Sequence, residues 1–509
     1  MNKNGNIKSP NHPAELEKLV LSCEAEQLHL SGAIQPFGAL LRIDTQTHKI
    51  THASANLVEF IGLEASAVLG QPAESLNWIK SGLFPSLPET PGKTVVIQKI
   101  VEKENERVDG LAIRGTNCIL VELEKINTND ESLSLEDFLD SLSSVRLDLG
   151  KDALKEHHQL LVDAFRAIIG YDRVMIYRFH EDWTGEVVAE ATSKTKGSYL
   201  GLHFPSSDIP AIARNLYLQN PARMIPDAKV APISILSKEN TPPDLTRSDL
   251  RSVSPVHLQY LENMGVAASF SVPIRSGGNL WGLVACHHSS PLLLSPEQRS
   301  ACVKLTDAYS KSLMTHLLGR RMQTIDGLNR RIDGIMRDLA NYSDLQSGIH
   351  DLGDQLLETM EAQGFAMAVG KTLVSVGEGP SIDQIMMIDD WFLNQYEKPT
   401  LINNHLEEFF LDPQILQQIR GLLAIKSCSP QLGWIRCYWF RPELKQEVAW
   451  AGNPNKPMME KEGVLMLSPR SSFKTWMEIK SGYSRPWSGE IQMVATKFRS
   501  ALYSLSLRK

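Results

Sequence analysis

The chain has 509 residues, 42% of them hydrophobic and 22% charged, with a net charge of −7. These are ordinary globular values, and the length asks for about three domains. The acidic balance, with no basic run to offset it, argues against a nucleic-acid or membrane-surface role, and no apolar run approaches the roughly 20 residues needed to span a bilayer.

The first residues, MNKNGNIKSPNHP, are polar and have no apolar segment behind them, unlike a signal peptide. A soluble cytoplasmic protein is expected. The six cysteines (Cys23, Cys118, Cys286, Cys302, Cys428 and Cys437) are scattered and form no C-x-x-C pair. That excludes a zinc cage, a redox dithiol and a disulfide scaffold. Cys118, Cys286 and Cys302 sit in apolar or helical runs and read as small buried hydrophobes. Cys23 does not: it lies in a leader, LSCEAEQLHL, before the first convincing strand.

From Gly38 the sequence alternates as a sheet. GALLRID and HKITHAS read as two strands joined by a polar turn, ANLVEFIG as a short helix or turn, and GKTVVIQKIVEK and CILVELEKI as further strands. The acidic stretch NTNDESLSLEDFLDS reads as a linker entering a helix. A second domain opens on LKEHHQLLVDAFRAIIG, helical in its apolar spacing and ending at Gly170. YDRVMIYRF and TGEVVAEA are expected to pair antiparallel. ASFSVPIRSGGNLWGLVACHH is a hairpin around a Ser-Gly-Gly turn.

Residues 300–342 form a long, polar, proline-free helix. Met322, Ile325, Leu328, Ile332, Ile335, Leu339 and Tyr342 recur three or four apart, while Arg320, Arg321, Arg330 and Arg331 fall off that stripe. The spacing predicts a coiled-coil seam and a homodimer, with packing against the protein's own domain as the alternative. A third α+β unit follows from about residue 345. Its LGWIRCYWFRPE, EVAWAGNP and PRSSFKTWMEIKSGYSRPW segments suggest a hairpin-like excursion. GEIQMVATKFRSALYSLSLRK reads as a terminal helix cut before a further domain.

Unusual residues concentrate in the second domain. YLGLHFPSSDIPAIARNLYLQNPARMIPD carries Phe204, Asp208, Tyr217 and Arg223; DLRSVSPVHLQYLENMGVAASFSV carries Arg251, Ser254, His257, Tyr260, Ser269 and Ser271; His287 closes the group. Two arginines with several hydroxyls make a cradle for carboxylates through paired, charge-assisted hydrogen bonds. Histidines offer donor and acceptor nitrogens to a polar heterocycle. Tyr177, Phe204, Tyr217 and Tyr260 supply flat walls. Such a set suits a large planar guest with acidic tails, although single arginines and histidines are commonly just solvated or internally satisfied.

FPSSDIPAIARNLY, SPVHLQYLENMGV and LWGLVACHH resemble the chromophore domain of a bacterial phytochrome, and the resemblance extends over nearly the whole chain. It implies an α+β protein of three domains joined by long helices. These are a PAS domain at 1–128 with the leader, a GAF chromophore-binding domain at 129–315, and a PHY domain at 316–509 with a tongue at about 434–487. It implies a red/far-red photoreceptor with a covalent biliverdin, thioether-linked at Cys23. Leu258 stands where plant and many cyanobacterial members carry the attaching cysteine, directly after His257. Ile34 resembles the residue that threads a GAF loop in a figure-of-eight knot, which general rules would never suggest.

Residue by residue, the resemblance places Asp208 at the pyrrole nitrogens and, in one state, against Arg470 of the tongue. Asp208, Ile209 and Pro210 belong to the matched FPSSDIP motif, and His257 joins Asp208 in holding the central water network. Arg223, Arg251 and Tyr217 would hold one propionate; Ser254, Ser269 and Ser271 would surround the other. His287 would bond the outermost ring's carbonyl, with Tyr177, Phe204 and Tyr260 packed around that ring. Ser472 is the expected replacement partner for Arg470, and Trp450 and Trp476 are expected to exchange places as the tongue refolds. Ser206, where many relatives have alanine, is a small departure.

The expected partners are a second copy of the chain and an output module, a histidine kinase or diguanylate cyclase as in bacterial relatives. Within these residues no enzyme motif is found. His287 and His288 lack a carboxylate at ligand spacing, so no metal site is expected. A small-molecule or redox sensor built on PAS and GAF domains is the competing function.

Overall fold

The computed structural model describes residues 27–79, 87, 89–103, 106–127, 136, 138–140, 151–193, 197–239, 241–409, 412–454, 458–461, 464–467, 470 and 472–507. Cys23 lies outside the described residues, as do Pro469 and Ser471 of the PRSSF motif. The chain divides into two compact units: Met1–Met314 with Ala449–Trp476, and Thr315–Val448 with Met477–Lys509. Both mix helices with antiparallel sheet, as expected. Among the described residues no helix is long and apolar enough to cross a membrane.

The first unit begins with β1 (Ala33–Ile34), β2 (Gly38–Asp44), β3 (Ile50–Ser54), β4 (Thr94–Glu102), β5 (Glu106–Arg114) and β6 (Cys118–Asn127). β5 adds a strand beyond those expected, because Asp109 and Gly110 at its middle mask its alternation. Next come α1 (Lys151–Ile169), β7 (Arg173–Phe179), β8 (Gly185–Thr192) and β9 (His203–Phe204). They are followed by α2 (Ala211–Gln219), β10 (Arg223–Ile225), β11 (Ile233–Ser237), α3 (Pro255–Asn263), β12 (Ala268–Ser276) and β13 (Asn279–His288). Gly170, at φ +65°, ends α1 in the left-handed conformation glycine tolerates.

The N-terminal sheet runs β1-β11-β3-β2-β6-β5-β4, so a strand of the second domain completes it. Ala33 and Ile34 pair with Ser234 and Ile233 of β11 on one side. On the other, Ile34 bridges Arg251, and the Gln35 N–H donates to the Leu250 carbonyl at 2.7 Å. Ile34 is fully buried among Leu245, Leu250 and Leu40. The second sheet has eight strands and includes the run β10-β12-β13-β7-β8-β9, in which β7 and β8 pair antiparallel as the sequence predicts.

The long helix α4 (Pro296–Ala340) is followed by α5 (Leu345–Met360), β14 (Gly364–Val369), β15 (Thr372–Gly377), α6 (Ile382–Asn394) and β16 (Thr400–Asn403). A short helix (Pro413–Gln418), β17 (Gly421–Ser429), β18 (Gly433–Arg441), β19 (Gln446–Ala451) and α7 (Gly489–Ser506) follow, with further strands between the last two. The second unit's sheet runs β15-β14-β18-β17-β16. Trp434 to Arg441 lie within β18, so the excursion expected from Trp434 starts only after Arg441. It runs as strands at Gln446–Ala451, Met458–Lys461, Val464–Leu467 and Thr475–Lys480.

The expected coiled-coil seam needs correction. Leu328, Ile332, Ile335 and Leu339 are buried in the second unit's own core, with Ile349 and Leu356 of α5 and Val494 and Phe498 of α7. Tyr342 packs against the same core. A three-or-four spacing reports that one helix face is buried and is silent on what covers it. Only the start of the stripe stays open: Met322 is 66% exposed, and Leu318, one turn before it, is 49% exposed.

Candidate functional site

A cavity of about 400 Å³ lies in the second domain, within the usual size of small-molecule pockets. Its sheet wall comes from Tyr177 on β7, Ser269 and Ser271 on β12 and His287 on β13. Residues two apart on a strand share a face, so both serines point inward. Tyr217 on α2 and His257 and Tyr260 on α3 form the helical wall. Phe204, Asp208, Ile209 and Pro210, then Arg223, Arg251 and Ser254, complete the lining.

The irregular segment has a local cause. Pro205 and Pro210 bracket the short 3-10 turn Ser206–Asp208, and the proline at 210 keeps Ile209 out of the helical region, at φ −127°. The chain can then restart as α2. Tyr177 owes its position to Gly185: a Cβ there would lie 1.8 Å from the tyrosine ring.

The electrostatics favour an anionic, hydrogen-bonding guest. Arg251 is 7% exposed, and burial, then the neighbouring Arg223, pushes its guanidinium down to about 9. Burial lowers Arg223 as well. Both guanidiniums donate to backbone carbonyls: Arg223 to Asp249 at 2.6 Å and Ser252 at 3.3 Å, and Arg251 to Leu245 at 3.1 Å. An anion beside the pair would relieve both penalties. Tyr217 and Ser271 share a hydrogen bond of 2.8 Å at the same end.

Burial holds His257 neutral, down to about 4, and His287 down to about 3, the latter helped by Arg173 and His257. The His287 Nδ1 is buried with no hydrogen-bond partner among the described residues. Such an atom is costly unless a guest bonds it. With aromatic and aliphatic walls around them, these groups fit a flat, mostly apolar ligand carrying carboxylates and polar edge atoms.

The cavity is tied to the returning strand segment. Arg470 pairs with Asp208, and both side chains are nearly inaccessible, 2% and 3% exposed. The Tyr260 hydroxyl also donates to Asp208 Oδ2 at 3.1 Å. Arg470 lies between the rings of Phe204 and Phe473, 5.5 Å and 5.2 Å from their centroids. It donates to the Ala451 carbonyl, and its own carbonyl accepts from Asn263 at 3.0 Å. Trp450 is buried and bridges His203, Trp476 is 38% exposed, and Ser472 is exposed.

Leu258 does not line the cavity; it packs against Ile225, Leu261 and Val266. None of the five described cysteines lines it either. Sequence reasoning missed Met175, Leu283 and Ala285, which alternation from Tyr177 and His287 would have placed on the same faces. It also missed Trp183 and Arg214, which stack at 4.5 Å at the cavity's edge and carry no sequence signal.

Family profiles cover most of the chain. The PAS fold matches residues 23–126, the GAF domain 157–312 and the phytochrome region 329–509. Cyanobacterial phytochrome B of Nostoc sp. is 34% identical over 96% of this chain and 66% of its own length. A bacteriophytochrome of Pseudomonas aeruginosa is 33% identical, again over 96% and 66%. The chain thus spans slightly under two thirds of the length of these relatives. The solved photosensory core module of Stigmatella aurantiaca phytochrome superposes with a TM-score of 0.78 at 31% identity, covering 96% of this chain and 98% of that one. The chain belongs to the phytochrome family, as a photosensory module of the bacterial type with PAS, GAF and PHY regions.

Proposed function

We propose that this module is a red/far-red photoreceptor that carries biliverdin, thioether-linked through Cys23, and reports its state through the tongue. The observation that carries the proposal is the buried Asp208–Arg470 pair, which joins the cavity lining directly to the returning strands. A bound bilin supplies absorption of red light and a double bond that isomerises on excitation. Everything else falls to the chain.

Arg223, Arg251 and Tyr217 hold one propionate, where burial crowds two guanidiniums together. Ser254, Ser269 and Ser271 hold the other. Asp208 and His257 organise the central hydrogen bonds, and neutral His287 donates a ring N–H to a carbonyl. Tyr177, Phe204 and Tyr260 form the aromatic walls that exclude water. In the second state Arg470 leaves Asp208, Ser472 replaces it, and Trp450 and Trp476 exchange places. Cys23 is the attaching thiol: Leu258 closes the other position, and the five described cysteines lie off the cavity. The same proposal has the leader, through Ile34, threaded past the second domain as a knot. It also includes a homodimer through the helices around 300–342, a cytoplasmic location, and a histidine kinase or diguanylate cyclase as output.

Adding biliverdin to the chain and recording spectra in darkness and after red illumination tests this. A long-wavelength band that shifts reversibly is expected. Cys23→Ser should keep the band while zinc fluorescence of the denatured chain, which reports covalent bilin, disappears. No band at all would instead favour a PAS/GAF small-molecule sensor.

A further inference from the structure

Three residues outside the cavity converge on one side of the second domain. His180 follows the last residue of β7, Glu186 lies in β8 and His203 in β9. Register brings them together, since Glu186 pairs directly with His203 across the β8–β9 ladder. The His180 Nε2 is 3.3 Å from Glu186 Oε2. The two imidazoles stack with centroids 5.4 Å apart and planes 15° from parallel. One ligand atom from each of the three residues lies within 4.8 Å of the other two. All three side chains are half-buried, which limits their hydration and holds them on paired strands.

We propose that His180, Glu186 and His203 form a binding site for a divalent cation of the zinc class. Two imidazole nitrogens and one carboxylate oxygen match the ligand set of open zinc sites, in which water takes the fourth position. Imidazole with carboxylate suits borderline cations and disfavours calcium or magnesium, which require oxygen cages. Bond lengths near 2 Å to zinc place ligand atoms a little over 3 Å apart, so modest side-chain rotations close the site. Arg178, which acts on Glu186, is the competing positive charge. His287 and His288, the adjacent pair in the sequence, play no part. The site shares His203 with the bridge to Trp450. None of its three residues lines the cavity.

The test is Co2+ and Zn2+ titration of the 509-residue chain expressed without a bilin source, so that no tetrapyrrole nitrogen competes. One cation per chain is expected, with a four-coordinate Co2+ ligand-field spectrum that Zn2+ displaces. His180→Gln, Glu186→Gln and His203→Gln are close in size to the native residues. Each should weaken binding at least about tenfold, the lower end of what even outer-shell changes cost metal sites. Any one variant with a native far-UV spectrum suffices to decide. His288→Gln, beside Asp172, is the control and should bind normally. Absence of saturable binding, undiminished affinity in a folded ligand variant, or loss in His288→Gln alone overturns the proposal.

Discussion

Arg470 and Asp208 meet as an ion pair whose side chains are only 2% and 3% exposed, although 262 positions separate them. A pair so buried does little for net stability against an apolar alternative, yet breaking it is expensive because one charge stays behind. Its role here is to tie the segment after Ala449 to the cavity. Arg470→Ala should therefore cost about 3–5 kcal/mol locally. Hydrogen exchange at Trp450 and Ala451 should quicken, since Arg470 also donates to the Ala451 carbonyl. In the proposed photocycle the dark–light difference in that protection should shrink with it. Equal protection in both states of the wild type would remove the tongue switch from the mechanism.

The cavity was largely legible in the sequence because its polar residues are dense in two irregular stretches, around Asp208 and around His257. Fourteen proposed lining residues from Tyr177 to His287 do line it. Leu258 does not, because a helix turns successive side chains by 100° and His257 takes the inward position. Strand register was not legible, so the meeting of His180, Glu186 and His203 had no sequence signature. The α4 stripe was legible as a buried face, but a one-dimensional pattern does not name the surface that buries it.

That correction has a direct consequence. Ile332 and Leu339 are fully buried in the second unit's core. Truncating either to alanine should destabilise that unit by about 2–5 kcal/mol, through lost contacts and a residual cavity. The oligomeric state measured by sedimentation should stay unchanged. Met322→Glu, at an exposed position, should do the reverse and weaken self-association with little effect on melting. If Leu339→Ala instead dissociates a dimer without lowering the melting temperature, the seam faces a partner after all.

The cavity histidines give a pH dependence in the chain without bilin. Burial depresses His257 to about 4 and His287 to about 3, whereas the unfolded chain titrates near 6.5. Between those values the unfolded state binds more protons, so stability rises with pH. It is fully present above about 6.5 and is lost as pH falls toward 4 and 3. Each histidine adds at most about 1.4 kcal/mol per pH unit across its window. Urea unfolding of the first unit at pH 7.5, 6 and 5 should show this loss, and His287→Gln should flatten it. An unchanged slope in that variant would mean His287 does not stay neutral in the fold.

Gly185 and Tyr177 offer the sharpest test of how the cavity wall is built. A methyl group on Gly185 would sit 1.8 Å from the tyrosine ring and 2.1 Å from its oxygen. Gly185→Ala must therefore displace Tyr177 or bend β8, at an overpacking cost of about 1–3 kcal/mol. Tyr177→Ala alone opens a void beside Phe179 and Phe204, at about 3–5 kcal/mol by analogy with other large aromatic truncations. The two changes should offset each other in part, because the alanine methyl then occupies space the ring has left. A double-mutant cycle on thermal or urea unfolding should return a favourable coupling of about 1 kcal/mol or more. Strict additivity would mean that the ring's position is set elsewhere, with Phe179 and Phe204 rather than the glycine holding it.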